Sequence, residues 1–209
     1  MLLIDISASA MFGTTFGRKK DIITEIAAVL SFSAVNNGDK VGVIFYSDEV
    51  ETYIPPKKGR QHALYIVRKL LTEESNHKGT QVSTALKFFR NSTRQQSIAF
   101  VLSDFTDVTY ENDLKVIAGR HDVIGLRIYD KMDMMLPDAG LLQVQDLETG
   151  KTKWIDSSDK MVQYNYNKRF LEQSDLSKNY FRKAGADLLH IRTDEDYVKV
   201  LQQFFIKRS

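Results

Sequence analysis

The sequence predicts an α/β fold: an open, mainly parallel sheet in three layers, with helices on both faces and one antiparallel strand at an edge. Two observations carry this. Short apolar runs rich in β-branched and aromatic residues alternate with longer stretches of helical period, the pattern of a parallel sheet covered by helices. The 209 residues, 43% of them hydrophobic, are enough for one sizeable core, and residues 1–209 are expected to form a single domain.

Strands are expected near Leu2 to Ile6, Lys40 to Tyr46, Val50 to Ile54, Ser97 to Ser103, Asp122 to Ile128 and Asp187 to Ile191, each short enough to be a buried strand. The segment from Lys19 to Val35 carries Ile22, Ile26 and Leu30 at four-residue spacing, with Ile23, Ala27 and Ala34 beside them, and Asn37-Gly38 stops it. Further helices are read at Arg60 to Leu71, on a core stripe of Leu64, Val67 and Leu71, and at Thr80 to Phe89. A last one is anchored by Tyr197, Leu201, Phe204 and Phe205. Between Gly140 and Ser157 the period changes to two strands joined at Glu148-Thr149-Gly150-Lys151, a β-hairpin insertion near 140–157.

Composition excludes several functions. Lys and Arg number 29 against 27 Asp and Glu, a net charge of +2 with the signs interleaved, so no attraction to nucleic acid or to a membrane surface follows. With no cysteine, disulfides, thiol nucleophiles and thiolate metal sites are absent together, which fits a cytoplasmic location. The opening Met1-Leu2-Leu3-Ile4-Asp5 has no basic leader and is far too short to span a membrane. Because termini normally begin in exposed segments, a chain that opens inside a core strand is expected to be a piece of a longer protein.

The chemistry is concentrated in Leu3-Ile4-Asp5-Ile6-Ser7-Ala8-Ser9, where oxygen-bearing side chains recur at every second residue after a buried strand. Period two points them to one side, and the carboxyl end of a parallel strand is where open α/β sheets bind their ligands. One carboxylate and two hydroxyls are hard donors, suited to Mg²⁺ or Mn²⁺, less to calcium, and poorly to zinc. Thr80, in Lys78-Gly79-Thr80-Gln81, and Asp104, closing Val101-Leu102-Ser103-Asp104, are expected at the same edge. The bland alternative is that Asp5 and the serines only cap a helix or form side-chain turns.

These residues resemble the von Willebrand factor A (vWA) family, whose metal-ion-dependent adhesion site has Asp-x-Ser-x-Ser, then a Thr in a Gly-Thr turn, then an Asp after a later strand. Asp5, Ser7, Ser9, Thr80 and Asp104 match all five positions. Phe12-Gly13-Thr14, Asn37-Gly38-Asp39-Lys40-Val41-Gly42, Phe45-Tyr46-Ser47-Asp48, Pro55-Pro56-Lys57-Lys58-Gly59-Arg60 and the Glu148-Thr149-Gly150 hairpin resemble one bacterial subgroup, domain of unknown function 58. Its members usually carry a further N-terminal region, which this sequence lacks. The resemblance implies a non-enzymatic, metal-dependent protein-interaction module whose cation takes a carboxylate from a partner's Asp or Glu. It also implies work beside a MoxR-type AAA+ ATPase in protein maturation or regulation.

The rival reading is a magnesium-dependent haloacid-dehalogenase-like phosphotransferase, with Asp5 as nucleophile and Asp104 and Asp107 holding the metal. That chemistry needs an acid two residues after the nucleophile, and Ser7 stands there. His62, His77, His121 and His190 are scattered, and no glycine-rich phosphate loop occurs, so Gly13 and Gly17 are read as loop residues. Asp130, Asp133 and Asp138, flanking Met132, Met134 and Met135, read as a solvated loop on the metal edge, and Arg18-Lys19-Lys20 as a solvated first helical turn.

Overall fold

A computed structural model describes residues 1–11, 19–73, 75, 79–145 and 150–208, with Met11 described by its backbone alone. Phe12-Gly13-Thr14, Gly17, Arg18, His77, Lys78, Glu148 and Thr149, singled out above, lie outside the described residues.

The central sheet has six strands: β1 (Leu2–Asp5), β2 (Val41–Tyr46), β3 (Val50–Lys57), β4 (Ile98–Ser103), β5 (Asp122–Tyr129) and β8 (Asp187–Arg192). Their order across the sheet is β3-β2-β1-β4-β5-β8. All neighbours pair in parallel except β2 and β3, an antiparallel hairpin that puts β3 at the edge. β3 runs through Pro55 and Pro56, beyond the expected end at Ile54, which an edge strand tolerates because half of its amides bond to no neighbour. β6 (Leu141–Gln145) and β7 (Thr152–Asp156) form the expected hairpin as a separate two-stranded sheet.

Alternation along the strands divides the core between two faces. Leu2, Ile4 and Ile6 pack with α2 (Lys19–Asn36), α3 (Arg60–Thr72) and α8 (Tyr197–Arg208) on one face. Leu3 packs on the other with α4 (Val82–Ser92), α5 (Glu111–Ala118) and α7 (Lys160–Ala184). α2 ends as Asn37-Gly38 requires: Gly38 takes φ 76°, its N–H bonds to the Val35 carbonyl at 3.0 Å and that of Asp39 to Ala34 at 2.9 Å.

Two readings change. The stripe of α3 that faces the core is Ala63, Ile66 and Leu70; Leu64 and Leu71 are exposed, so the apolar face lies one residue earlier than Leu64, Val67 and Leu71 suggested. Both sets satisfy the helical period, and only the direction of the sheet decides between them. α7, at 25 residues the longest helix described, was not marked by any apolar stripe: it buries Phe170, Ser174, Ser177 and Phe181, half of them serines. Small residues there let the helix lie close against its neighbours without a hydrophobic signature.

Candidate metal centre

β1 and β4 lie side by side at the centre, and the chain leaves them toward opposite edges of the sheet. Their carboxyl ends therefore form the switch point at which such sheets bind ligands. Asp5 ends β1, Ser103 ends β4 and Asp104 follows it. The strand does not continue to Ser9. β1 stops at Asp5 and a short helix, α1 (Ala8–Met11), begins three residues later, so the regular alternation expected through Ser9 holds only at its start. A turn into that helix brings the serines round.

Three hydroxyls meet there. Thr80 Oγ1 donates to Ser7 Oγ at 2.7 Å, Ser7 Oγ and Ser9 Oγ stand 3.2 Å apart, and Ser9 Oγ and Thr80 Oγ1 stand 3.3 Å apart. Thr80 is carried to this position by the loop before α4, tied down where the Gln81 N–H bonds to the Ser47 carbonyl and the Val82 N–H to Asp107 Oδ2.

Asp5 is fully buried beneath this triangle. Its Oδ1 accepts from the Ser7 N–H at 2.9 Å and its Oδ2 from the Ser103 hydroxyl at 2.6 Å. Burial, then the charge of Asp104, push its carboxyl up to about 7, against the opposing pull of the Ser103 and Ser7 hydrogen bonds. Each oxygen accepts one bond in a site that retains further lone pairs.

Asp104 is held from several sides. Thr106 donates to its Oδ1 through both N–H and hydroxyl, and Arg127 Nε donates to its backbone carbonyl at 3.1 Å. The next residue, Phe105, takes φ 54°, a left-handed conformation uncommon for a bulky side chain. It is retained because the ring is buried against Tyr110 and Phe181, and its N–H bonds to Ser103 Oγ. This fixes where Asp104 points.

The basic turn was misread. Lys19 is 2% exposed rather than solvated, and its ammonium lies 2.8 Å from Asp133 Oδ2, 3.6 Å from Asp104 Oδ2 and 3.1 Å from the Ser9 carbonyl. Burial opposes its charge, yet Asp104 and Asp133 together raise its pKa. The acidic loop is likewise not simply solvated. Asp130 is a buried cap for α6 (Lys131–Met134) and accepts from Thr193, while Asp133 serves Lys19; Asp138 accepts from Ser158.

All five residues named from the sequence thus gather at one edge. Asp5, Ser7, Ser9 and Thr80 are joined by hydrogen bonds around Ser7, and Asp104 is joined to Ser9 through Lys19. Sequence reasoning missed Ser103, Thr106, Lys19 and Arg127. Ser103 and Thr106 flank Asp104 and had a signal in their proximity to it; Lys19 and Arg127 had none, because their burial depends on the assembled sheet. Asp107, the other acid of the phosphotransferase reading, is committed to the N–H groups of Val82 and Thr109.

The donor set favours a hard cation. Hydroxyl and carboxyl oxygens converge, Asp5 and Asp104 supplying the carboxyls, while Lys19 and Arg127 bring positive charge to Asp104. Among the described residues no three His, Cys, Asp or Glu side chains gather as a metal cluster, so hydroxyls would have to be part of any cation shell. The described histidines serve packing: His62 bonds to the Val41 carbonyl, His121 stacks on Phe89, and burial brings His190 down to about 4.

An α/β sheet of this order, with helices on both faces, is a vWA-like fold. The chain belongs to the family described as "Protein of unknown function DUF58", which it matches over residues 1–175. An uncharacterized protein of Mycobacterium tuberculosis is 28% identical over 210 residues, covering 99% of this chain and 66% of that protein. The chain thus spans about two thirds of that relative's length. One from Mycobacterium avium is 29% identical over 161 residues, covering 75% of this chain and 94% of that protein. Among solved structures, the conserved hypothetical protein BatB from Bacteroides thetaiotaomicron superposes with a TM-score of 0.60 at 14% identity, over 100% of this chain and 98% of that one. The SpRpn10 VWA domain gives 0.55 at 10% identity, over 97% and 92%. At such identities the likeness concerns the fold. Among the described residues no helix is long and apolar enough to cross a membrane.

Proposed function

We propose that the chain is a protein-interaction module that recognises a partner's carboxylate through a divalent cation, Mg²⁺ or Mn²⁺, held by Asp5, Ser7, Ser9, Thr80 and Asp104. The observation that carries this reading is the triangle of hydroxyls from Ser7, Ser9 and Thr80 set over the buried Asp5 carboxyl at the β1/β4 switch point. When bound, such a cation supplies an electrophilic position that an incoming Asp or Glu completes.

The chain's own residues do the rest. Ser7 N–H and Ser103 Oγ orient the Asp5 carboxyl, Lys19 holds the Ser9 loop against Asp104, and Thr106 fixes the Asp104 side chain. With few anionic donors, the bound charge would stay incompletely neutralised, which favours an acidic partner. The family resemblance supports a MoxR-type AAA+ ATPase as that partner, and the absence of cysteine fits a cytoplasmic setting. Phosphotransfer finds less support, because Ser7 stands where the acid is needed and Asp107 is occupied in capping α4.

Calorimetric titration with MgCl₂ and MnCl₂, followed by capture of a purified MoxR-type ATPase with and without magnesium, tests this. Wild type is expected to bind the cation and to hold the ATPase only in its presence, and Asp5→Ala to lose both. Undiminished magnesium-dependent capture by Asp5→Ala would falsify the mechanism.

A further inference from the structure

The cavity beside the hydroxyl triangle, about 510 Å³ in volume, is lined by Ser9 and Thr80, by the acids Asp104, Asp107 and Asp133, and by Arg127, Phe170 and Arg169. Arg127 projects from β5 and is only 2% exposed. A buried guanidinium ordinarily pairs with a carboxylate. Here, among the described residues, no carboxylate lies within ion-pair distance.

Its contacts are of another kind. Nε donates to the Asp104 carbonyl at 3.1 Å, the guanidinium carbon stands 4.5 Å from the centre of the Phe170 ring and 5.7 Å from that of Tyr129, and Nη1 is buried with no hydrogen-bond partner among the described residues. The aromatic faces and the Nε bond hold the plane of the group in place beside the cavity that Arg127 lines, with Nη1 still unpartnered among the described residues. Burial lowers the pKa of Arg127, with the charge of Asp104 opposing. A desolvated guanidinium with a free donor is a strong site for a planar anion, because such a pair gains both charge and directed hydrogen bonds. Arg169, exposed at the mouth, adds positive charge to the approach.

We infer that Arg127 forms a second carboxylate subsite in the same cavity as the candidate cation site, so that the ligand is an acidic peptide presenting two neighbouring carboxylates. The pairing of the two subsites rests on the cation reading above; the anion subsite itself does not. It requires only Arg127, the aromatic rings that hold it and the cavity that reaches it.

The experiment is an NMR titration of the ¹⁵N-labelled chain, reading the Arg127 Nε–Hε resonance, with the blocked dipeptide acetyl-Glu-Glu-amide as probe and acetyl-Gln-Gln-amide as reference. In EDTA, saturable movement of that resonance is expected with the glutamate peptide alone, in wild type and in Asp5→Ala. Arg127→Met should weaken binding at least tenfold, and Arg169→Ala only a few-fold. Should Arg127→Met fail to fold, the wild-type resonance and the glutamine reference decide the question. Added MgCl₂ should tighten binding about tenfold or more in wild type and leave Asp5→Ala unchanged. Movement of Arg127 without any magnesium effect upholds the anion subsite and sinks the cation reading. An Arg127 resonance that stays still with and without magnesium overturns the subsite.

Discussion

Asp5 carries a carboxyl that is fully buried, faces Asp104, and titrates near 7 rather than near its ordinary 3.8. Between those two values the folded chain keeps a proton that the unfolded chain has released. Raising the pH through that window therefore draws the equilibrium toward unfolding, the reverse of a salt-bridged aspartate. In EDTA the thermal midpoint of Asp5→Asn, which carries no ionisable carboxyl, is expected to gain on that of wild type as the pH is raised from 5 to 7, because the buried histidines, which pull the other way, are common to both proteins. A pH slope identical in both proteins would contradict it. The same residue shows what sequence can and cannot reveal about a site. Asp5, Ser7, Ser9, Thr80 and Asp104 were legible because their chemistry is written in residue type and order. Lys19 and Arg127 were not, since a basic side chain in a sequence looks solvated until the strands and helices that enclose it are assembled.

At the scale of elements, the contact between β5 and α7 is set by the absence of a side chain. A Cβ placed on Gly125 would stand 2.4 Å from Phe181 Cζ and 2.7 Å from Leu188 Cδ1, closer than carbon atoms approach. Gly125→Ala must push the Phe181 ring out of its contacts with Phe105 and Tyr110, and overpacking of this kind costs roughly 1–3 kcal/mol. Urea unfolding with a lowered midpoint and an unchanged m-value checks it; an unaffected midpoint would mean that the helix shifts freely. The strands were read within a few residues because their apolar runs are short and bounded. α7 escaped notice because its inward face sets Ser174 and Ser177 between Phe170 and Phe181, a stripe that closeness rather than hydrophobicity defines. α3 was recognised but rotated by one position, for the period alone does not say which of two adjacent stripes faces the sheet.

For the molecule as a whole, the six-stranded sheet takes no strand from the β6–β7 hairpin, which is a separate two-stranded sheet and exposes Leu141 and Trp154. Its ends are already together: the Ser157 N–H and hydroxyl both bond to the Gly140 carbonyl at 2.8 Å. Joining residue 140 directly to 157 should therefore leave the far-ultraviolet circular dichroism of the helices intact and move the thermal midpoint by no more than a few degrees; collapse of the helical signal would show that the hairpin supports the core. One further consequence belongs to the opposite rim. The outermost strand, β3, contains Pro55 and Pro56 in succession, and proline has no N–H to offer a neighbour. At these two positions a visiting chain finds no donor with which to continue the hydrogen-bonded ladder, which shortens the stretch of border open to pairing and guards against stacking of one copy on another. Recognition of the kind proposed would accordingly favour side chains at the end of the sheet over main chain along this part of its border.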